Sequence, residues 1–227
     1  MINRARQTLA GLSLAAVACA ALAGCKSHGE IVVDEGVGIT AVRTACPAVG
    51  IADYTGDITL FQSAASRNAP DVHEASALDV TAAMTDVRSQ CDSATDKVHS
   101  TVSFTVLARR NDKHGPRSVT LPFYLTVVRG TTAVIAKRIG TVTVNFADGQ
   151  DRAQATGQGT AFIDKAEATL PSDIRKRITQ KRKAGEADAA IDPLSLPDVK
   201  EAVARATFEV MVGFQLTDDQ LKYNVTR

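Results

Sequence analysis

The sequence predicts a mainly β domain, an antiparallel β-sandwich with a helical insertion around 171–206 before a final strand. Three observations carry that prediction. Apolar and polar residues alternate over long stretches between 98 and 146, the period of a strand buried on one face. Turn-forming groups such as "NDKHGP" and "ADGQDR" separate those stretches. After 171 the spacing turns helical in two short segments, then reverts to alternation in "ATFEVMVGFQL".

The first 24 residues are predicted to stand outside that domain. Arg4 and Arg6 give a short positive region, and Leu9 to Ala23 carries no charge. An apolar run of about 15 residues falls short of the roughly 20 that a membrane-spanning helix needs. It fits the core of a secretory signal. The run closes with Leu22-Ala23-Gly24-Cys25, which resembles the lipobox of bacterial lipoproteins. That resemblance implies a diacylglyceryl group on the Cys25 thiol, cleavage just before it, and acylation of the new amine. Two or more chains exceed what stable anchoring requires, which one chain does not reach. Lys26 stands where Asp would favour inner-membrane retention in enteric lipoproteins, so the resemblance leans towards the outer membrane, periplasm-facing. The alternative is an ordinary secretory signal that leaves Cys25 as a free thiol. "KSHGE" (26–30) then reads as a short tether of at most about 18 Å. The expected organisation is therefore 1–24 removed, 25–30 anchor and tether, and 31–227 one domain.

Cys19 lies in the signal and is discarded on this reading. With lipid on Cys25, Cys46 and Cys91 are left with each other, and an exported compartment permits a disulfide between them. The loop it closes would contribute about 4 kcal/mol in the chain-entropy model. A redox or metal pair is the alternative. No CxxC and no His at ligand spacing favours it.

In the domain, "GITAVR", "DITLF" and "ALDVTAAMTDV" are short strand candidates. "VHSTVSFTVLARR" places Val98, Val102, Phe104, Val106 and Ala108 on one face, and His99, Thr101, Ser103, Thr105 and Arg109 on the other. "RSVTLPFYLTVVRG" repeats this with Val119, Leu121, Phe123, Leu125 and Val127 inward, and the two are expected to form a long hairpin across "NDKHGP". Pro122 lacks an N–H and predicts an edge position or a bulge. In "TTAVIAKRIGTVTVNF" the apolar parity shifts between Ile135/Ile139 and Val142/Val144/Phe146, which predicts a bulge around 138–140. "QATGQGTAFID" reads as a glycine-weakened strand.

"PSDIRKRITQKRKAG" has Pro and Asp early, cations late and Gly as a stop, all helix signals. "LPDVKEAVARA" repeats them, with Val199, Ala202 and Val203 on one face. In the closing strand Phe208, Val210, Val212, Phe214 and Leu216 share a side, and Thr217 is placed to cap a short terminal helix. Many short strands with one helical insertion are broadly similar to immunoglobulin or fibronectin III architecture, without a Trp landmark or tyrosine corner. The domain also resembles uncharacterised predicted lipoproteins of proteobacteria, a likeness that implies no activity.

Composition excludes some function classes. A net charge of +1 gives no global pull towards nucleic acid. Aromatics are 4% with no Trp, which leaves few stacking platforms. His28, His73, His99 and His114 are scattered, without ligands at metal spacing. The only GxSxG-like phrase, "GLSLA", lies in the signal. The glycine pairs at 36–38 and 157–159 lack the Lys-Ser/Thr of a phosphate loop. Asn145, Asp148 and Asp151 offer oxygens to a calcium ion, but Asp-Gly there is ordinary turn chemistry. Asp34-Glu35 and Asp218-Asp219 do not read as acid/base pairs.

One patch stands out. Arg175, Lys176, Arg177, Lys181, Arg182 and Lys183 crowd six cations into nine residues beside Ile174 and Ile178. They would suit anionic headgroups or an acidic partner. The plainer reading is a solvated helix face balanced by Glu186 and Asp188. The expected function is a non-enzymatic cell-envelope lipoprotein that binds or scaffolds other envelope proteins. It needs no cofactor beyond the lipid. A periplasmic carrier or sensor of a small ligand is the alternative, and an enzyme with an unrecognised site is a third.

Overall fold

The computed structural model describes residues 44–62, 75–180, 185 and 191–227. The described chain runs β1 (Ala48–Ile51), β2 (Asp57–Phe61), β3 (Leu78–Asp92), β4 (Lys97–Arg110), β5 (Arg117–Arg129), β6 (Ala133–Phe146) and β7 (Arg152–Asp164). Helix α1 (Ser172–Thr179), helix α2 (Pro197–Ala206), β8 (Phe208–Phe214) and helix α3 (Asp218–Thr226) follow. The protein is mainly β, and the two helices before the last strand stand where the sequence put them. The strand candidate "GITAVR" lies outside the described residues.

The strands form two sheets, ordered β1-β8-β5-β6 and β2-β3-β4-β7. All pairs are antiparallel except β1–β8, which is parallel. Alternation decides which faces are buried. Val98, Val102, Phe104, Val106 and Ala108 from one sheet, and Val119, Leu121, Phe123, Leu125 and Val127 from the other, enter one core with Val210, Val212 and Phe214. At its centre the Phe104 and Phe123 rings meet edge to face, 4.9 Å apart.

Each of those rings lies over a glycine of the neighbouring strand. Phe104 pairs across with Gly157, and Phe123 with Gly140. A Cβ would come within 2.2 Å of Phe104 at Gly157 and 2.6 Å of Phe123 at Gly140. These glycines make room for the two central rings, so the strand that reads as weakened by glycine is shaped by it.

The long hairpin expected across "NDKHGP" does not form. β4 pairs with β3 and β7, while β5 pairs with β6 and β8, so residues 111–116 cross from one sheet to the other. The "ADGQD" segment (147–151) crosses back between β6 and β7 in the same way. Turn residues reverse the chain but carry no instruction about which strand the next one must pair with. Hairpins occur instead at 93–96, between β3 and β4, and at 130–132, between β5 and β6.

Pro122 is on neither an edge strand nor a bulge, because β5 is interior. It sits where the ladder to β8 runs out, one residue past the Phe123–Phe214 pair, and its carbonyl still accepts from Gln215 N–H at 2.9 Å. The missing N–H thus falls at the end of a ladder. The bulge expected at 138–140 is absent: Ile139 and Gly140 pair in register with Tyr124 and Phe123. The register shift lies between Val127 and Val128, where Ile135 is the extra residue on β6. A second shift on β3, between Thr85 and Arg88, lets Val87 turn inward after Met84.

α1 is shorter than its sequence signals imply. It ends at Thr179, and Gln180 is already extended. Ile174 and Ile178 bury against Val199 and Ala202 of α2. One turn further on, the helical positions would hold Lys181 and Arg182, with nothing apolar to bury. α3 carries a full capping box: Thr217 Oγ1 accepts from Gln220 N–H, and the Gln220 side chain accepts from Thr217 N–H.

Candidate binding groove

The Cys46–Cys91 disulfide is present, with Cα atoms 6.0 Å apart. It ties the segment leading into β1 to the far end of β3, and so joins one sheet to the other. Cys25 lies outside the described residues, as do His28, Asp34, Glu35, the 36–38 glycines and His73.

The cationic patch divides. Arg175 and Lys176 are exposed on α1, while Arg177 reaches across to Asp198 of α2 in a charge-assisted pair. That hydrogen bond holds the Asp198 carboxyl below the usual carboxylate range and raises Arg177. Lys181, Arg182, Lys183, Glu186 and Asp188 lie outside the described residues.

Asn145, Asp148 and Asp151 do not converge on one point. Asn145 accepts from Ser118 Oγ at 2.7 Å, Asp148 accepts from Gly115 N–H at 2.7 Å, and Asp151 faces Arg109 and Lys113 at 3.5 and 3.8 Å. Asp148 and Asp151 help fasten the two sheet-crossing loops, while Asn145 joins the paired strands β5 and β6. His114 donates to Asp112 from its backbone N–H, and its Nδ1 lies 2.7 Å from the same carboxylate oxygen. These two contacts, the backbone bond first, lower the Asp112 pKa. His99 stacks flat on Phe162 at 4.7 Å, on the outer face of β4 and β7.

The residue that organises this end of the molecule was missed by sequence reasoning. Arg110 is 1% exposed. Its Nε donates to Gln150 O, and its Nη2 donates to Lys113 O and Ala147 O, all within 2.9 Å. Its guanidinium also lies 5.3 Å from the centre of the Phe146 ring. The signal was available: Arg110 falls on the inward parity of β4, where every other large side chain is apolar. An arginine at such a position must find acceptors inside the fold. Nearby, Arg117 of β5 grips Asp79 of β3 through two bonds of 2.6 Å, a second link between the sheets.

An open groove lies on the outer face of the β2-β3-β4-β7 sheet, with a volume of about 260 Å³. Helix α3 is held over β2 by Asn224, which donates to Tyr54 O and Asp57 O at 2.8 Å, and by Tyr223 edge-on to Phe61. Small outward residues of β3, Thr81 and Ala83, make the floor with Leu107 of β4. Arg109, Arg152 and Arg227 line the rim, and Arg227 is paired with Asp57.

A different surface is offered by β6. It is the last strand of its sheet, and residues 133–139 are exposed on both faces. Val134 and Ile139 are 64% and 66% exposed. Lys137 lies over Tyr124, and Arg138 over Phe162. Among the described residues there is no group of three metal-ligating side chains, and no helix long and apolar enough to cross a membrane. No protein-family model, curated protein or solved structure matches this chain.

Proposed function

We propose that this chain is a non-enzymatic cell-envelope lipoprotein. On this reading it is cleaved before Cys25, lipidated there and held on the periplasmic face of the outer membrane. Its sandwich-like domain, in the immunoglobulin or fibronectin III style, is a binding or scaffolding module for other envelope proteins. The observation that carries the reading is the Cys46–Cys91 bridge. Disulfides persist in oxidising compartments, as an exported protein requires. The bridge also uses both cysteines beyond Cys25, which leaves that thiol to the lipid.

The exposed half of β6 supports the binding part. A strand edge carries unpaired backbone N–H and C=O groups, and another polypeptide can add a strand to it. The apolar side chains Val134, Ile135 and Ile139 stand outside the core and are exposed.

Replacing Cys25 by Ser tests the anchor. The variant is expected to lose acyl labelling and to leave the membrane fraction. Labelling or membrane retention equal to the wild type would contradict it.

A further inference from the structure

We infer that the groove beside α3 is a site for a small amphiphilic oxyanion, a carboxylate or phosphate monoester with a short apolar body. This site does not depend on the anchor and belongs to the domain wherever that domain resides.

Register brings its cations together. Thr59, Thr81, Arg109 and Arg152 pair across four strands in one row, and Ala83 pairs with Leu107 in the groove's floor. Arg109 and Arg152 are therefore direct cross-strand neighbours on the outward face. Like charges in that position repel, and sheets ordinarily avoid it. The local acids offset them only in part. Asp151 is shared between Arg109 and Lys113 at distances beyond a tight hydrogen bond, and Asp57 is taken by Arg227. Arg152 forms no ion pair among the described residues.

Two guanidiniums on paired positions of neighbouring strands can both turn their N–H groups to one oxyanion, and bidentate recognition of carboxylate or phosphate is what that group does best. A bound anion would also remove the repulsion between them. The floor sets the rest of the ligand. Small Thr81 and Ala83 leave a depression between Arg227 and Arg109, and Leu107 offers an apolar surface that is 49% exposed. An alkyl body would lie there with its acid group between Arg109 and Arg152. At about 260 Å³, just under the usual size of ligand pockets, the groove suits a short molecule rather than a long lipid.

Equilibrium dialysis of the full-length chain tests this with four probes: hexanoate, hexyl phosphate, hexanol and inorganic phosphate. One molecule of hexanoate or hexyl phosphate is expected per chain, whichever headgroup is preferred. Hexanol and inorganic phosphate are each expected to bind at least tenfold more weakly. The paired change Arg109→Gln and Arg152→Gln is expected to weaken the two amphiphiles at least tenfold, with thermal stability equal or higher because a repulsion is removed. Ala83→Glu places a carboxylate on the floor, and is expected to block binding while the far-ultraviolet circular dichroism stays unchanged. Hexanol binding as tightly as hexanoate would overturn the proposal. So would inorganic phosphate matching hexyl phosphate, or folded variants that bind like the wild type.

Discussion

At the scale of single residues, Arg110 shows how one side chain fixes a topology. It is a buried cation bonded to three backbone carbonyls, two in one sheet-crossing loop and one in the other. Lys113 O serves the first loop, and Ala147 O and Gln150 O the second. Lys113 O and Ala147 O also accept from the Gly149 and Gln150 N–H groups, so the arginine adds a second, charge-assisted bond at each and ties the two loops together. Arg110→Met keeps much of the volume and the apolar contact with Phe146 but removes the donors. It is expected to lower stability by roughly 2–4 kcal/mol in urea unfolding. A loss under about 0.5 kcal/mol, the size of an ordinary surface change, would mean the loops are held by other contacts.

At the scale of elements, the two insertion helices are joined by a small apolar seam and by Arg177–Asp198. The folded-state pKa of Asp198 is depressed, so its contribution is present above the unfolded value of about 3.9 and is lost as pH falls through the carboxylate range. Both partners are solvent-facing, so the effect is local. Amide exchange in α1, corrected for its intrinsic pH dependence, is expected to show falling protection as pH drops from about 6 towards about 3, and Asp198→Asn is expected to remove that trend. An unchanged pH profile in the variant would assign it to other groups. The outer half of β6 gives a second element-level prediction. Ile135→Lys with Ile139→Lys puts charge on an exposed strand, a change that blunts edges without touching the core. Envelope protein that co-purifies with the wild type is expected to be lost from this variant at unchanged thermal stability. Full retention would move the binding surface elsewhere.

Elements also show what the sequence made legible. The buried faces of β4, β5 and β8 were readable because period two depends only on which residues are apolar. The pairing partners were not, since the Asp-Gly and His-Gly turns are compatible with a hairpin or a crossing. Arg110 was readable in principle from its inward parity on β4, but the carbonyls it bonds, on Lys113, Ala147 and Gln150, were not. The parallel β1–β8 pair had no signal, because four residues, "AVGI", are too few to display a period. The groove was invisible for a different reason: it joins residues from four strands and Arg227 after the terminal helix, and no local spacing relates them.

At the scale of the whole molecule, three cross-links hold the sheets face to face around the Phe104–Phe123 contact: the disulfide, Asp79–Arg117 and the Arg110 clasp. Cys91→Ser is expected to lower stability by about 4 kcal/mol in the chain-entropy model, with the secondary structure retained at moderate temperature. Equal unfolding midpoints with and without reductant would argue that the bridge contributes nothing. The disulfide also links stability to compartment, and hence to the proposed anchor. Non-reducing peptide mapping by mass spectrometry of protein taken from the membrane fraction reads both at once. The expected result is an N-terminal peptide that begins at Cys25 and carries acyl-glyceryl mass, together with a linked peptide joining Cys46 to Cys91. An unmodified Cys25 in a chain that keeps residues before it, or free thiols at Cys46 and Cys91, would contradict the proposed lipoprotein.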